Sequence, residues 1–157
     1  MIQRIQTIYL SLAIIALGIL FFFPLASFLS DLSYLKFYIT GVKNMAPGGD
    51  VPLSMMYVLP LVLLVIAVLF ISVMSLLQYK NRPRQIKFTS IAVMLNILAI
   101  LAILFVYVPI IERKTGVKPD YGYLGIYLPV ISLLFLVLAN MAIKRDEKLV
   151  RSSDRLR

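Results

Sequence analysis

Four stretches of this chain contain no Asp, Glu, Lys or Arg at all: residues 5–30, 51–79, 88–111 and 121–143. Each exceeds the roughly 20 residues that a helix needs to cross a hydrocarbon core about 30 Å thick. Composition closes off the alternative of a soluble domain. Of the 157 residues, 61% are apolar and only 15% charged, against about 45–50% and about 25% in a typical soluble chain. A molecule this small has too little interior to hide so much apolar surface from water. The chain therefore reads as an all-α integral membrane protein, a single domain with four transmembrane helices in one bundle. The spans are expected at about residues 5–26, 55–78, 88–111 and 122–143, followed by a tail over 144–157.

The second span illustrates the energetics. Its fifteen Leu, Ile, Val and Phe residues favour insertion by roughly 4.5–9 kcal/mol, while a single central Arg would oppose it by about 2.5–3.5 kcal/mol. The first span also resembles a signal peptide, with Arg4 before an apolar run and small residues near Ala26. Its apolar stretch is longer than the roughly 7–15 residues of a secretory h-region, so an uncleaved helix is expected.

Orientation follows from Lys and Arg. Eleven lie at the amino end, in the 79–87 loop and in the tail, against five at Lys36, Lys43, Arg113, Lys114 and Lys118. The positive-inside rule then puts both termini in the cytoplasm. The net charge of +9 is mostly this topological signal, with a weak attraction to anionic lipid heads. No basic face interleaved with aromatic side chains accompanies it, so nucleic acid is not an expected partner. Tyr9 and Tyr79 fall near the inner interface, and Tyr57, Tyr107, Tyr121, Tyr123 and Tyr127 near the outer one, as an aromatic belt requires.

Prolines fall at matching levels in the two halves. Pro24 and Pro109 lie near the outer ends of spans one and three, Pro60 and Pro129 in the first turns of spans two and four. Two parallel α-hairpins related by an axis along the membrane normal would give this pattern. Prolines selected independently at helix ends would give it too. In the third span Thr89, Ala92, Asn96, Ala99 and Ala102 share one face. Small residues there allow close helix approach, and a buried amide finds a partner helix. Asn96 is therefore read first as interhelical packing and second as a ligand contact; Asn140, nearer the cytoplasmic interface, is the weaker case.

With no Cys and no His, disulfides, Cys/His metal sites, His-ligated haem and His-based triads are excluded. No carboxylate or Lys lies at depth, where proton relays and intramembrane active sites place them. No catalytic residue, metal or cofactor is expected. An enzyme would need the loop carboxylates Asp31, Asp50, Glu112 and Asp120 to converge. In the first outer loop, residues 35–40 have strand character and residues 45–50 read as turn. A small hairpin cap is expected there, pairing with Gly116-Val117-Lys118.

The tail, Lys144 to Arg157, reads as the fourth helix continuing into the cytoplasm. It is either a solvated end carrying topology charges or a docking peptide using Arg151, Asp154, Arg155 and Leu156. The opening Met1-Ile2-Gln3-Arg4-Ile5-Gln6-Thr7 and the closing Asp146-Glu147-Lys148-Leu149-Val150-Arg151-Ser152-Ser153-Asp154-Arg155-Leu156-Arg157 resemble a bacterial family of four-span membrane proteins from the Bacteroidota group, catalogued as a domain of unknown function. The resemblance implies the inner membrane and carries no activity or catalytic residue with it. Function is accordingly expected to be non-enzymatic: an accessory or scaffold subunit in the lipid bilayer, with a membrane or cytoplasmic protein partner or a second copy of the chain. The alternative is binding or transport of a lipid or small apolar molecule between the hairpins, near Asn96.

Overall fold

The structure, a computed structural model, describes residues 3–30, 33–45 and 54–154, and the side chains of these except 3, 4, 30, 33 and 151–154. It is mostly helical, with a small sheet. Helix α1 spans Gln3–Ile19, strands β1, β2 and β3 span Ala26–Ser30, Ser33–Tyr38 and Gly41–Asn44, and α2 spans Met55–Leu77. Then come α3 (Arg82–Ala102), a π-helical turn (Ile103–Tyr107), α4 (Val108–Thr115), a short 3₁₀ turn (Leu124–Ile126) and α5 (Leu128–Asp154). The α3, π and α4 pieces form one continuous run from Arg82 to Thr115. Helix α1 packs on α2 and α5, and α3 packs on α2 and α5, closing a ring.

Three of these helices are long and apolar enough to cross a membrane: Met55–Leu77, Arg82–Thr115 and Leu124–Val150. The outer surface agrees. Phe70, Met94, Phe105 and Leu134 all point outward, Phe105 at 73% exposure, a face that suits lipid and not water. What the helices bury is a narrow stripe each. These are Gln6, Leu10, Ala13 and Leu17 on α1; Val58, Leu61, Val65, Val68, Ser72 and Ser75 on α2; Gln85, Thr89, Ala92, Asn96 and Ala99 on α3; and Ser132, Leu136, Ala139, Ile143 and Asp146 on α5. Steps of three and four alternate throughout, the repeat of helices packing at small crossing angles.

The first helix is shorter than the expected 5–26. Its last bonds tighten, with Phe21 N–H donating to Gly18 O and Phe22 N–H to Ile19 O. The chain then leaves the helix ahead of Pro24, which has no N–H to continue it and disfavours helical geometry in the preceding residue. By Ala26 the chain is already in β1. Pro109 behaves differently. It sits inside the continuous run, and the turn before it is widened so that Val108 N–H donates to Ile103 O, relieving the missing donor without ending the helix. The two prolines at supposedly matching levels thus end one helix and bulge another.

The sheet is antiparallel in the order β1-β2-β3, with a tight turn between β2 and β3 for which Gly41 adopts φ 147°. Its apolar face inserts among the helices: Phe28, Leu35, Phe37, Ile39 and Val42 pack with Leu20 of the α1–β1 turn, Val58, Leu61 and Val65 of α2, and Ala99, Ile103, Val108 and Ile111 of the third run. The Phe37 ring stacks on Tyr107 with centroids 6.2 Å apart. The cap expected in the first loop is present, but its partner across the loop is not Gly116-Val117-Lys118. Ser27 exchanges both backbone hydrogen bonds with Asp120, at 3.0 and 2.8 Å. Helix α4 ends at Gly116 with φ 69°, a left-handed cap, and Val117 packs against the sheet's core cluster.

The 3₁₀ turn before α5 lies against the α1–β1 turn so closely that a Cβ on Gly125 would overlap the Pro24 carbonyl, whereas one on Gly18 would meet nothing within 4 Å. Gly125→Ala is therefore expected to lower stability by about 1–3 kcal/mol, as overpacking against backbone does, while Gly18→Ala causes no loss. Thermal unfolding of both variants in the same detergent checks this; equal midpoints would overturn the close packing of the two turns.

Candidate functional site

The polar residues of the four buried stripes meet across the helix ring in three levels. Nearest the sheet, the Asn96 side-chain amide of α3 donates to Ser132 Oγ at 2.8 Å and to Pro129 O at 3.2 Å, and Ser132 also donates to Pro129 O at 2.8 Å. Asn96 is 1% exposed, so its amide nitrogen is committed to α5 and faces no solvent. Further along, Asn140 Nδ2 donates to Ser90 Oγ at 3.2 Å, again joining α5 to α3. Toward α2, Thr89 Oγ1 lies 2.6 Å from Ser75 Oγ, and both hydroxyls reach Gln85 O. Ala92 and Ala99 fill the stripe between, fully buried, and Ala102 packs at its edge. The four residues Thr89, Ala92, Asn96 and Ala99 thus share one face, and that face serves two neighbours.

The third level lies at the end away from the sheet. Gln6 of α1 donates its amide to the Asp146 carboxylate of α5, and Arg82, first residue of α3, donates a guanidinium N–H to Asp146 O at 3.3 Å. Gln6 is 5% and Asp146 6% exposed. One carboxylate-bearing residue therefore ties together three chain segments near the end of α5. Sequence reading placed Asp146 in a solvated tail and Gln85 in a basic loop. A signal was available for both: Asp146 continues the α5 stripe of Ser132, Leu136, Ala139 and Ile143, and Gln85 continues that of α3, each by one more step of three or four.

Of the docking residues expected in the tail, Arg151 and Asp154 fall within the backbone of α5, while Arg155 and Leu156 lie outside the described residues. The helix does run on past the last apolar stretch as expected. Asp31 and Asp50 also lie outside the described residues. Asp120 accepts from Gly122 N–H at 3.0 Å through its side chain, and Glu112 lies in α4. Among the described residues no three His, Cys, Asp or Glu side chains gather as metal ligands.

At the sheet end, Tyr34 and Tyr123 share a hydroxyl hydrogen bond of 2.7 Å, and Lys36 Nζ lies 5.1 and 5.5 Å from their ring centroids. The shared bond splits their acidities. Tyr34 is pushed up by its hydrogen bond with Tyr123 and by desolvation; Tyr123 is pulled down by that same bond, then by one with Ser27 and by the Lys36 charge. Lys114 over Tyr57 and Lys43 over Tyr38 repeat the pairing. Such cation–π contacts hold the sheet end together. A small apolar cavity of about 150 Å³ opens beside the π turn, between Ile103 and Leu104 on one side and Tyr127, Pro129 and Val130 on the other.

A family model described as Domain of unknown function (DUF4293) matches residues 2–156. The chain belongs to this family. No curated protein and no solved structure matches it.

The Asn96–Ser132 contact has a measurable strength. Interhelical hydrogen bonds in membrane proteins average about 0.6 kcal/mol and reach about 1.7 kcal/mol. A double-mutant cycle of Asn96→Ala and Ser132→Ala, followed by unfolding in mixed micelles, is expected to return a coupling in that range. A coupling indistinguishable from zero would remove this level from the set.

Proposed function

We propose that this chain is a non-enzymatic four-span protein of the bacterial inner membrane, with both ends in the cytoplasm, acting as an accessory or scaffold subunit that docks a partner through the end of α5. The observation that carries the reading is the Gln6–Asp146–Arg82 node. It grips α5 near its end, and eight further helical residues follow to Asp154. A helix end held in place in this way loses little freedom when a partner binds, which favours docking. In this reading α1 spans as well. Its 17 residues reach about 26 Å, and the sheet wedged above it supplies the remaining apolar depth. Sidedness rests on the Lys and Arg asymmetry. The alternative, a ligand beside Asn96, has less support, because that amide nitrogen is spent on Ser132 and Pro129.

Two experiments test this. The chain has no Cys, so single cysteines report sidedness cleanly. Ser152→Cys is expected to react with an impermeant maleimide only after inner-membrane vesicles are inverted, and Lys43→Cys only before; labelling of both from one side would overturn the topology. The second is removal of residues 148–157, which leaves Asp146 and its partners in place. A co-purifying protein should be lost while the unfolding midpoint stays within a few degrees. A truncation that changes no co-purifying protein would end the docking reading.

A further inference from the structure

Between α1 and α5, beside the Asp146 node, lies a groove of about 620 Å³, within the roughly 300–1,000 Å³ of sites that hold small molecules. Ile5 and Tyr9 form one wall and Met141, Ala142 and Leu149 the other, with Arg145 and Asp146 between Ala142 and Leu149 along α5. We propose that this groove seats a zwitterionic aminophospholipid, its ammonium on Asp146, its phosphate on Arg145 and its first acyl carbons along the apolar walls. The inference is independent of what the end of α5 docks and rests only on the helices lying in a membrane.

Charge, depth and order all favour this occupant. The groove offers one carboxylate and one guanidinium, adjacent in sequence and both lining the same space, so a purely anionic or purely cationic headgroup leaves one of them unmatched. Met141 and Ala142 close the charge-free stretch of α5 and Arg145 and Asp146 lie just past it; the groove therefore crosses the boundary between acyl chains and headgroups. Tyr9, stacked on Phe135 with centroids 6.5 Å apart, lines the part of the groove that lies within the charge-free stretches. The two charges also differ in freedom. The Asp146 carboxylate is buried and held by Gln6, which pre-orients it and makes an ammonium N–H a favourable counter-charge. Arg145 is exposed and can swing to meet a phosphate, for which a guanidinium fork is well shaped.

The test uses the full chain, purified, stripped of lipid in detergent, and presented with phosphatidylethanolamine, phosphatidylcholine and phosphatidylglycerol at equal concentration, with retained lipid counted by native mass spectrometry. Phosphatidylcholine has the same net charge but no N–H to donate, and phosphatidylglycerol has no amine. Phosphatidylethanolamine is expected to be retained about tenfold over either, as one charge-assisted hydrogen bond allows. Asp146→Asn should abolish that preference. Because this substitution also touches Gln6, Met141→Trp provides a second check: it narrows the groove from its exposed wall, and should reduce phosphatidylethanolamine retention with no change in unfolding midpoint. Equal retention of the choline lipid, stronger retention of the glycerol lipid, a preference that survives Asp146→Asn, or retention unchanged by Met141→Trp would overturn the proposal. Failure of the tail truncation to release a partner would leave it untouched.

Discussion

A 17-residue helix rises about 26 Å, and the helices packed beside α1 are longer. The space beyond Ile19 must be filled by a segment that brings no unpaired backbone N–H or C=O into an apolar setting, because each would cost several kcal/mol there. A hydrogen-bonded sheet satisfies this. Strands β1 to β3 pair with one another, Leu25 N–H donates to Phe37 O, and the outer edge of β1 is covered by Asp120. The position of β1, the close contact of Gly125 with Pro24, and the stacking of Phe37 on Tyr107 all follow from how early the first helix ends.

Below the sheet, the ring is held by small and polar side chains. Lipid tails are as apolar as Leu, so burying apolar surface between helices gains little in a membrane. Close contact and hydrogen bonds must then do more of the work. Ala13, Ala92, Ala99 and Ala139 supply the first, and Asn96–Ser132, Thr89–Ser75 and Gln6–Asp146 the second. Large apolar residues such as Phe70, Met94 and Leu134 face outward, the reverse of a soluble bundle. The Asp146 level differs from the others in kind, because it carries a charge and lies near the end of α5. It both anchors that helix end and lines the α1–α5 groove, so the two proposals meet at one residue while depending on separate readouts.

Much of this was legible in the residues. The three long apolar helices follow from the charge-free stretches, and the α3 face from the spacing of Thr89, Ala92, Asn96 and Ala99. Strand character at residues 35–40 was visible in its aromatic and β-branched composition. Errors arose where a local rule met a tertiary one. Pro24 and Pro109 look alike in sequence, yet one follows the end of α1 and the other follows a π turn inside a continuous helical run. Gly116-Val117-Lys118 had the composition to extend the sheet, but Gly116 is spent as the left-handed cap of α4 and Asp120 pairs with Ser27 instead. Asp146 and Gln85 were assigned to solvent because charged neighbours surround them, although their spacing continues the buried stripes.

Sequence by itself determined that this is a membrane-type helical chain, where its long apolar helices lie, and which face of α3 carries small residues. Those properties depend on composition and on the 3.6-residue period, both local. Tertiary structure decided which stripe meets which: that Asn96 bonds to α5 and Thr89 to α2, that the sheet fills the space over α1, and that a carboxylate in an apparently solvated tail is buried against Gln6. Each of these depends on residues between 14 and 140 positions apart in the chain, and no local pattern encodes the partner of a side chain that far away.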